Sequence, residues 1–356
     1  MSASPSPLER APSEASKKSG AGRARAKKGL LLVSGLALSA LFLWLALRGI
    51  DPNELASSLA RAAWWPLVPC ALALFLFYWL KVERWRLLIR AEHGASRSRL
   101  VDPMMMGFAA NNVLPLRIGE LIRVYTAGRT LGVPKTQVFA SLVVERVLDL
   151  LSVAVLVSGA LVFVHLREAS DGQDMRLLIA AVLAMLVAGA GLLLPYVIVG
   201  KDLSPFARWV PGRFRASVES LLRQFAAGLE PITDKRLLLP TLLSSLAQWL
   251  LVALCIQLSM MAVGVELHLM PVSMIVLGLV VLGISIPSGP AYVGTIEYAF
   301  VLGLGFFGVE PAVSLAAGIY YHVFLFVSVT TAGAICWGRY ALLGRHARAA
   351  EAKAPS

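Results

Sequence analysis

Apolar residues in this chain run together instead of alternating with polar ones. Four stretches, 29–47, 177–199, 237–264 and 312–337, contain no Asp, Glu, Lys or Arg. Each is close to the ~20 residues with which a helix crosses a ~30 Å hydrocarbon core. Four further apolar runs, 64–80, 138–164, 271–286 and 291–309, complete the pattern. It predicts an all-α polytopic membrane protein with about eight transmembrane helices.

Two polar islands interrupt it. Residues 103–114, PMMMGFAANNVL, are apolar yet too short to span, and they run into NNVLPLRIGELIRVY. Residues 286–300, IPSGPAYVGTIEYAF, place two prolines and two glycines within eight positions. Neither reads as one regular helix, so re-entrant or broken segments are predicted near 103–120 and 286–297. Irregular backbone at membrane depth is tolerated where it is buried in protein or lines a cavity.

Charge then sets the orientation. Only 15% of the 356 residues are charged, and 33 Lys and Arg against 21 Asp and Glu give +12. A soluble domain carries about a quarter charged residues. The basic residues gather in alternate loops, the positive-inside bias, which puts both termini in the cytoplasm. Membrane phospholipids are therefore the expected partners, and nucleic acid is not. Residues 1–28, rich in Ser, Ala and Pro with a basic end, read as a disordered cytoplasmic segment before an uncleaved first helix. The transmembrane domain covers 29–340, with an amphipathic interfacial helix near 205–230 and a cytoplasmic tail at 341–356. The oligomeric state has no signature in the pattern.

Candidate chemistry sits on the islands and beside them. Pro115 lacks an N–H and breaks a helix, and Gly119 permits close backbone approach. A helix restarting near Ile118 would turn free N–H groups toward the cavity, where anions bind well. Arg117 and Arg123 offer planar bidentate donors to phosphate, with Asn111 and Asn112 alongside and Glu120 for a cationic headgroup or an arginine. In VVERVLDLL, Glu145 and Asp149 share a helix face and Arg146 reaches Asp149 at i,i+3. Charges at that depth face a bundle interior or cavity and pair; the two readings are a static clamp and the handling of a charged ligand, the second preferred. Pro287 and Gly294 bend the second island. Glu297 has no basic neighbour in sequence, so its partner must come from another helix, with Arg117, Arg123 and Arg146 the nearest donors by topology. Pro115–Gly119–Glu120 and Pro287–Gly294–Glu297 form a faint internal echo. Tyr320, Tyr321 and His322 fall mid-membrane, where a histidine reads first as a packed hydrogen-bonding residue.

Enzyme signatures are not found: no P-loop, no H-E-x-x-H, no G-x-S-x-G and no Rossmann glycine motif. No catalytic residue, cofactor or metal site is expected. The five histidines are scattered, and Cys70, Cys255 and Cys336 read as packing residues within apolar spans.

Taken in order, Arg84-Trp85, Asn111…Leu114-Pro115-x-Arg117-x-Gly119-Glu120-x-x-Arg123, Glu145-Arg146-x-x-Asp149 and Pro287…Gly294…Glu297 resemble the lysylphosphatidylglycerol synthase/flippase transmembrane family. The resemblance covers roughly residues 30–340. It implies a prokaryotic inner-membrane protein with a flippase-like domain, which in some members moves an aminoacylated phospholipid between leaflets. It also implies that lipid aminoacylation is missing here, with a lipid-modifying enzyme as a possible partner in trans. A membrane-embedded transferase, or a subunit of one, is the alternative. Two departures stand out: Pro287 and Glu297 are ten apart where the family motif is compact, and the family's final-span arginine is replaced near Tyr320–His322.

Overall fold

The computed structural model describes residues 33–89, 96–167, 212–229, 234–267, 270–286 and 289–351, with scattered positions between 176 and 190. Among these residues every regular element is helical. In chain order they are α1 (Val33–Leu47), α2 (Pro52–Ala60), α3 (Leu67–Leu88), α4 (Arg97–Val113), α5 (Ile118–Leu131) and α6 (Lys135–Arg167). There follow α7 (Gly212–Leu229), α8 (Lys235–Ala262), α9 (Met270–Ser285), α10 (Thr295–Gly305) and α11 (Pro311–Glu351). Single 3-10 turns, Pro115–Arg117 and Pro290–Tyr292, precede α5 and α10.

Local chemistry explains the boundaries. Asp51 caps α2 by accepting the Asn53 N–H at 2.8 Å, with Pro52 at the first helical position where no N–H is needed. Asp234 caps α8 through Arg236 N at 3.0 Å. Gly132 ends α5 in the left-handed conformation at φ 70°.

Among the described residues, three helices are long and apolar enough to cross a membrane: Lys135–Val164 in α6, Arg236–Ala262 in α8 and Pro311–Leu342 in α11. α1 and α2 make a fourth if the pair, bent by 86°, counts as one span. An all-helical membrane architecture thus stands, while the count of described spans is lower than eight. The run expected to cross at 291–309 is a turn followed by α10, whose eleven residues extend only ~16 Å. Its prolines and glycines shorten it. The 177–199 run and residues 1–28 lie outside the described residues, apart from scattered positions in the former. The stretch 341–351, expected as tail, continues α11. The helix expected near 205–230 is α7, which packs on the start of α6 through Phe225 and Phe139 (ring centroids 6.5 Å).

α3 lies along α8, α4 lies along both α5 and α11, and α9 sits against α6, α8 and α10. The larger core joins Val157, Ile256, Ile275, Phe300 and Leu304. A second gathers Trp85, Leu100, Met104, Val144 and Leu148 around α4. Each polar island also gives residues to a core: Ile296 and Phe300 to the first, Met104 to the second.

Candidate functional site

α4 and α5 fold back on each other as a hairpin, and glycine makes that possible. A Cβ on Gly119 would collide with the Gly107 carbonyl oxygen, and one on Gly107 would meet the Gly119 carbonyl at 2.9 Å. At the tip, Arg117 takes a left-handed conformation, φ 54°, ψ 35°. That costs a non-glycine residue about 1–3 kcal/mol, and the surroundings must hold it there. Its guanidinium donates to the Ile284 carbonyl at the end of α9, a contact that can do so. The first turn of α5 has no side-chain cap.

The second island is built alike. Pro290 opens a 3-10 turn, Ala291 and Tyr292 both have φ 61°, and α10 starts after Gly294 at φ 85°. α1 braces this segment: Ser39 Oγ accepts the Gly289 N–H at 2.8 Å, and a Cβ on Gly294 would lie 2.5 Å from the Ser39 carbonyl oxygen. Glu297 Oε2 accepts the Gly294 N–H at 2.7 Å, so this helix start is capped by its own carboxylate. The echo between the islands therefore reads Pro115–Arg117–Glu120 against Pro290–Tyr292–Glu297: a proline-led turn, left-handed backbone and a first-turn glutamate. Pro287, expected to lead the second motif, lies outside the described residues.

Where the two tips meet is a cavity of about 190 Å³. Asn111, Asn112, Arg117, Glu120, Arg146 and His322 bring polar groups to its wall. Phe108, Tyr78, Tyr292 and Tyr321 supply aromatic surface. Arg146 Nη2 donates to Glu120 Oε1 at 2.8 Å and Asn112 Nδ2 to Thr330 Oγ1 at 3.2 Å. Asn111 Oδ1 is buried with no hydrogen-bond partner. Behind the wall, Glu297 Oε1 lies 2.6 Å from His322 Nδ1, and both residues are buried. This corrects the expectation of an arginine partner for Glu297. The donor comes from α11, beside α10, whereas Arg117 is spent on Ile284, Arg123 on Glu145 and Arg146 on Glu120.

A second charged group packs beneath the cavity and does not line it. Arg123 forms a bidentate pair with Glu145 (2.7 and 3.1 Å) and stacks 3.8 Å above Trp85. Lys81 reaches Glu145 at 3.1 Å and Asp149 at 3.3 Å; Arg84 binds Asp149 at 2.7 Å and donates to Ser245. Trp249 Nε1 adds a bond to Asp149 at 3.2 Å. These five charged side chains are at most 5% exposed. They tie α3, α5, α6 and α8 together. Hence Arg123, expected at phosphate, and Glu145 and Asp149, expected at a charged ligand, belong to a clamp. Arg146 points the other way: it lies 3.9 Å from Asp149 but binds Glu120 more closely.

Lys81 escaped the sequence reading because it sits just past an apolar run and counts as a loop charge. α3 continues two turns beyond that run, which buries Lys81 and Arg84 at i,i+3 on one face. That spacing was the available signal. Tyr292 and Phe108 carried none beyond their apolar neighbourhood. Among the described residues no group of three or more His, Cys, Asp or Glu could hold a metal ion.

The sequence profile described as "Lysylphosphatidylglycerol synthase TM region" matches residues 32–333. Two archaeal proteins are similar to the chain. The first, named "Glycosyltransferase AglD", from Haloferax volcanii, is 28% identical over 333 residues, covering 84% of this chain and 53% of that protein. The chain thus spans about half of its length. The second, named "UPF0104 membrane protein", from Methanothermobacter thermautotrophicus, is 25% identical over 324 residues, covering 86% of this chain and 94% of that protein. No solved structure matches the chain significantly.

Proposed function

The chain belongs to the lysylphosphatidylglycerol synthase transmembrane family, and from that premise we propose that it binds the anionic headgroup of a membrane lipid and passes it between leaflets. The observation that carries this reading is the cavity at the meeting of the two broken helices. In and behind its wall, four cations, Lys81, Arg84, Arg123 and Arg146, face three carboxylates, Glu120, Glu145 and Asp149, while Arg117 donates to a carbonyl and Glu297 meets His322. An excess positive charge at membrane depth is costly unless an anion answers it. Arg117, Arg146, Asn112 and the uncapped start of α5 are the groups that would meet a phosphate. Asn111 offers an acceptor to a polyol or ammonium part. At about 190 Å³ the cavity is below the usual 300–1,000 Å³ of a drug-sized site; it suits a headgroup and not a whole lipid.

In this reading the protein lies in the cytoplasmic membrane of a prokaryote with both termini inside, and α4–α5 enters as a re-entrant hairpin from the cytoplasmic side. The alternating basic loops support that orientation. A second reading rests on the similarity to a protein named a glycosyltransferase, about half of which the chain matches. There the cavity would present a lipid-linked sugar to an enzyme in trans, without transport.

The test is reconstitution of the purified protein in vesicles containing fluorescent phosphatidylglycerol, with leaflet-selective quenching. Lipid exchange above that of empty vesicles, lost in Arg117→Gln and Arg146→Gln, is expected. Exchange equal to empty vesicles together with retained headgroup binding would favour the second reading.

A further inference from the structure

Beside the polar cavity lies a larger apolar groove of about 430 Å³, walled by α3, α4 and α11. The two share Tyr78. Their linings also continue one another along two helices. On α4, Val101 and Met105 face the groove while Phe108 and Asn112 face the cavity. Positions 101, 105, 108 and 112 are one helical stripe. On α11, Tyr321 and Leu325 line the cavity, and Ser328, Ala332 and Cys336 line the groove. That stripe is also single. α4 and α11 run antiparallel, fixed by Asn112–Thr330 at one end and Asp102–Arg339 at the other. The stripes therefore lie side by side, and each runs from the cavity into the groove.

Tyr78, the residue common to both linings, meets Phe108 of the cavity wall with ring centroids 5.5 Å apart. On α3 the groove's wall runs from Ala71 to Val82, eleven residue steps or ~16 Å. One leaflet of a ~30 Å core is ~15 Å deep. Its far end carries Arg97 stacked over Trp79 (5.0 Å) and paired with Glu83. Such an aromatic and charged rim is what a membrane–water boundary favours.

We infer that the groove between α3, α4 and α11 holds one hydrocarbon chain of the same lipid whose headgroup enters the cavity, with Tyr78 and Phe108 gripping the lipid where chain meets headgroup. The inference rests on the headgroup reading of the cavity and adds what that reading lacks: a lateral entrance from the bilayer, and selection by chain as well as headgroup. A groove that merely collected annular lipid would have no reason to share a wall residue and two helical stripes with a polar cavity.

The experiment uses the full-length protein in nanodiscs containing phosphatidylglycerol with a photoactivatable diazirine on one acyl chain, the adducts being mapped by mass spectrometry. Adducts should concentrate on Val101, Met105 and Ala332 relative to exposed Val162 on α6. Ala332→Trp, which fills the groove, should cut them about tenfold, whereas Val162→Trp should not. Replacing the labelled lipid with a labelled phosphatidylcholine tests the dependence on the headgroup. Adducts on Val162 as dense as those on Ala332 mean annular lipid only and overturn the inference. If adducts fill the groove equally with both lipids, the headgroup reading fails and the groove stands as a chain site. If Arg117 still selects phosphatidylglycerol while the groove stays unlabelled, the groove alone is lost.

Discussion

Glu297 on α10 and His322 on α11 stand 2.6 Å apart, Oε1 to Nδ1, with His322 in the wall of the polar cavity and Glu297 behind it. The second oxygen of Glu297 caps its own helix at Gly294. One carboxylate thus fixes both the start of α10 and its contact with α11.

Losing either partner leaves the other buried and short of a bond, and such a loss costs ~3–5 kcal/mol when the group is charged. His322→Ala and Glu297→Gln should each lower thermal stability in detergent. The double variant should fall short of their sum by about 0.5–3 kcal/mol, the range of coupling for residues in contact. A parallel cycle of Glu297→Gln with Arg117→Gln should be additive. Coupling to Arg117 and additivity with His322 would mean that the pairing is wrong.

The hairpin predicts a steric effect. Gly119→Ala places a methyl against the Gly107 carbonyl and within 2.5 Å of Asn111 Oδ1. Expression of folded protein, followed by fluorescence-detected size exclusion, should collapse in Gly119→Ala. It should hold in Gly159→Ala, where nothing lies within 4 Å of the new carbon. A well-folded Gly119→Ala protein would show that α4 and α5 do not pack in this way.

Clamp and cavity should separate cleanly. Glu145→Gln leaves Lys81, Arg84 and Arg123 facing Asp149 alone, so the protein should fail to accumulate. Arg146→Gln and Arg117→Gln, at the partly exposed cavity wall, should accumulate near wild type and lose lipid exchange. Stable, active Glu145→Gln would instead place Glu145 outside the fold's support.

Orientation can be read with single cysteines in a Cys-free background. Ser98 and Ser217, both exposed, should resist impermeant thiol reagents in intact cells, and Ser57 on α2 should react. Labelling of Ser98 from outside would reverse the hairpin's side of entry.

The sequence made the helical membrane architecture readable because apolar run length is a local property, and the two islands were readable because proline and glycine act locally too. Pairing is different. The Glu297–His322 bond joins positions 25 apart, and the Lys81–Asp149 bond joins positions 68 apart; no periodicity encodes either. Arg123 illustrates the cost. Its neighbours suggested a phosphate ligand, but the stacked Trp85 and bidentate Glu145 arrive from α3 and α6. Arg146 and Glu120 were recognisable as charged and deep, and their facing the cavity followed only once α5 was seen against α6.

α11 is one uninterrupted helix of 41 residues, ~62 Å long at 1.5 Å per residue, against ~40–45 Å for a bilayer with its headgroups. On that single shaft sit His322, which holds α10, Thr330, which holds the tip of α4, and Arg339, which holds the base of α4 through Asp102. A rigid shaft cannot release these in turn. Because one helix carries all three contacts, the walls it gives to the cavity and to the groove are held in one fixed relation.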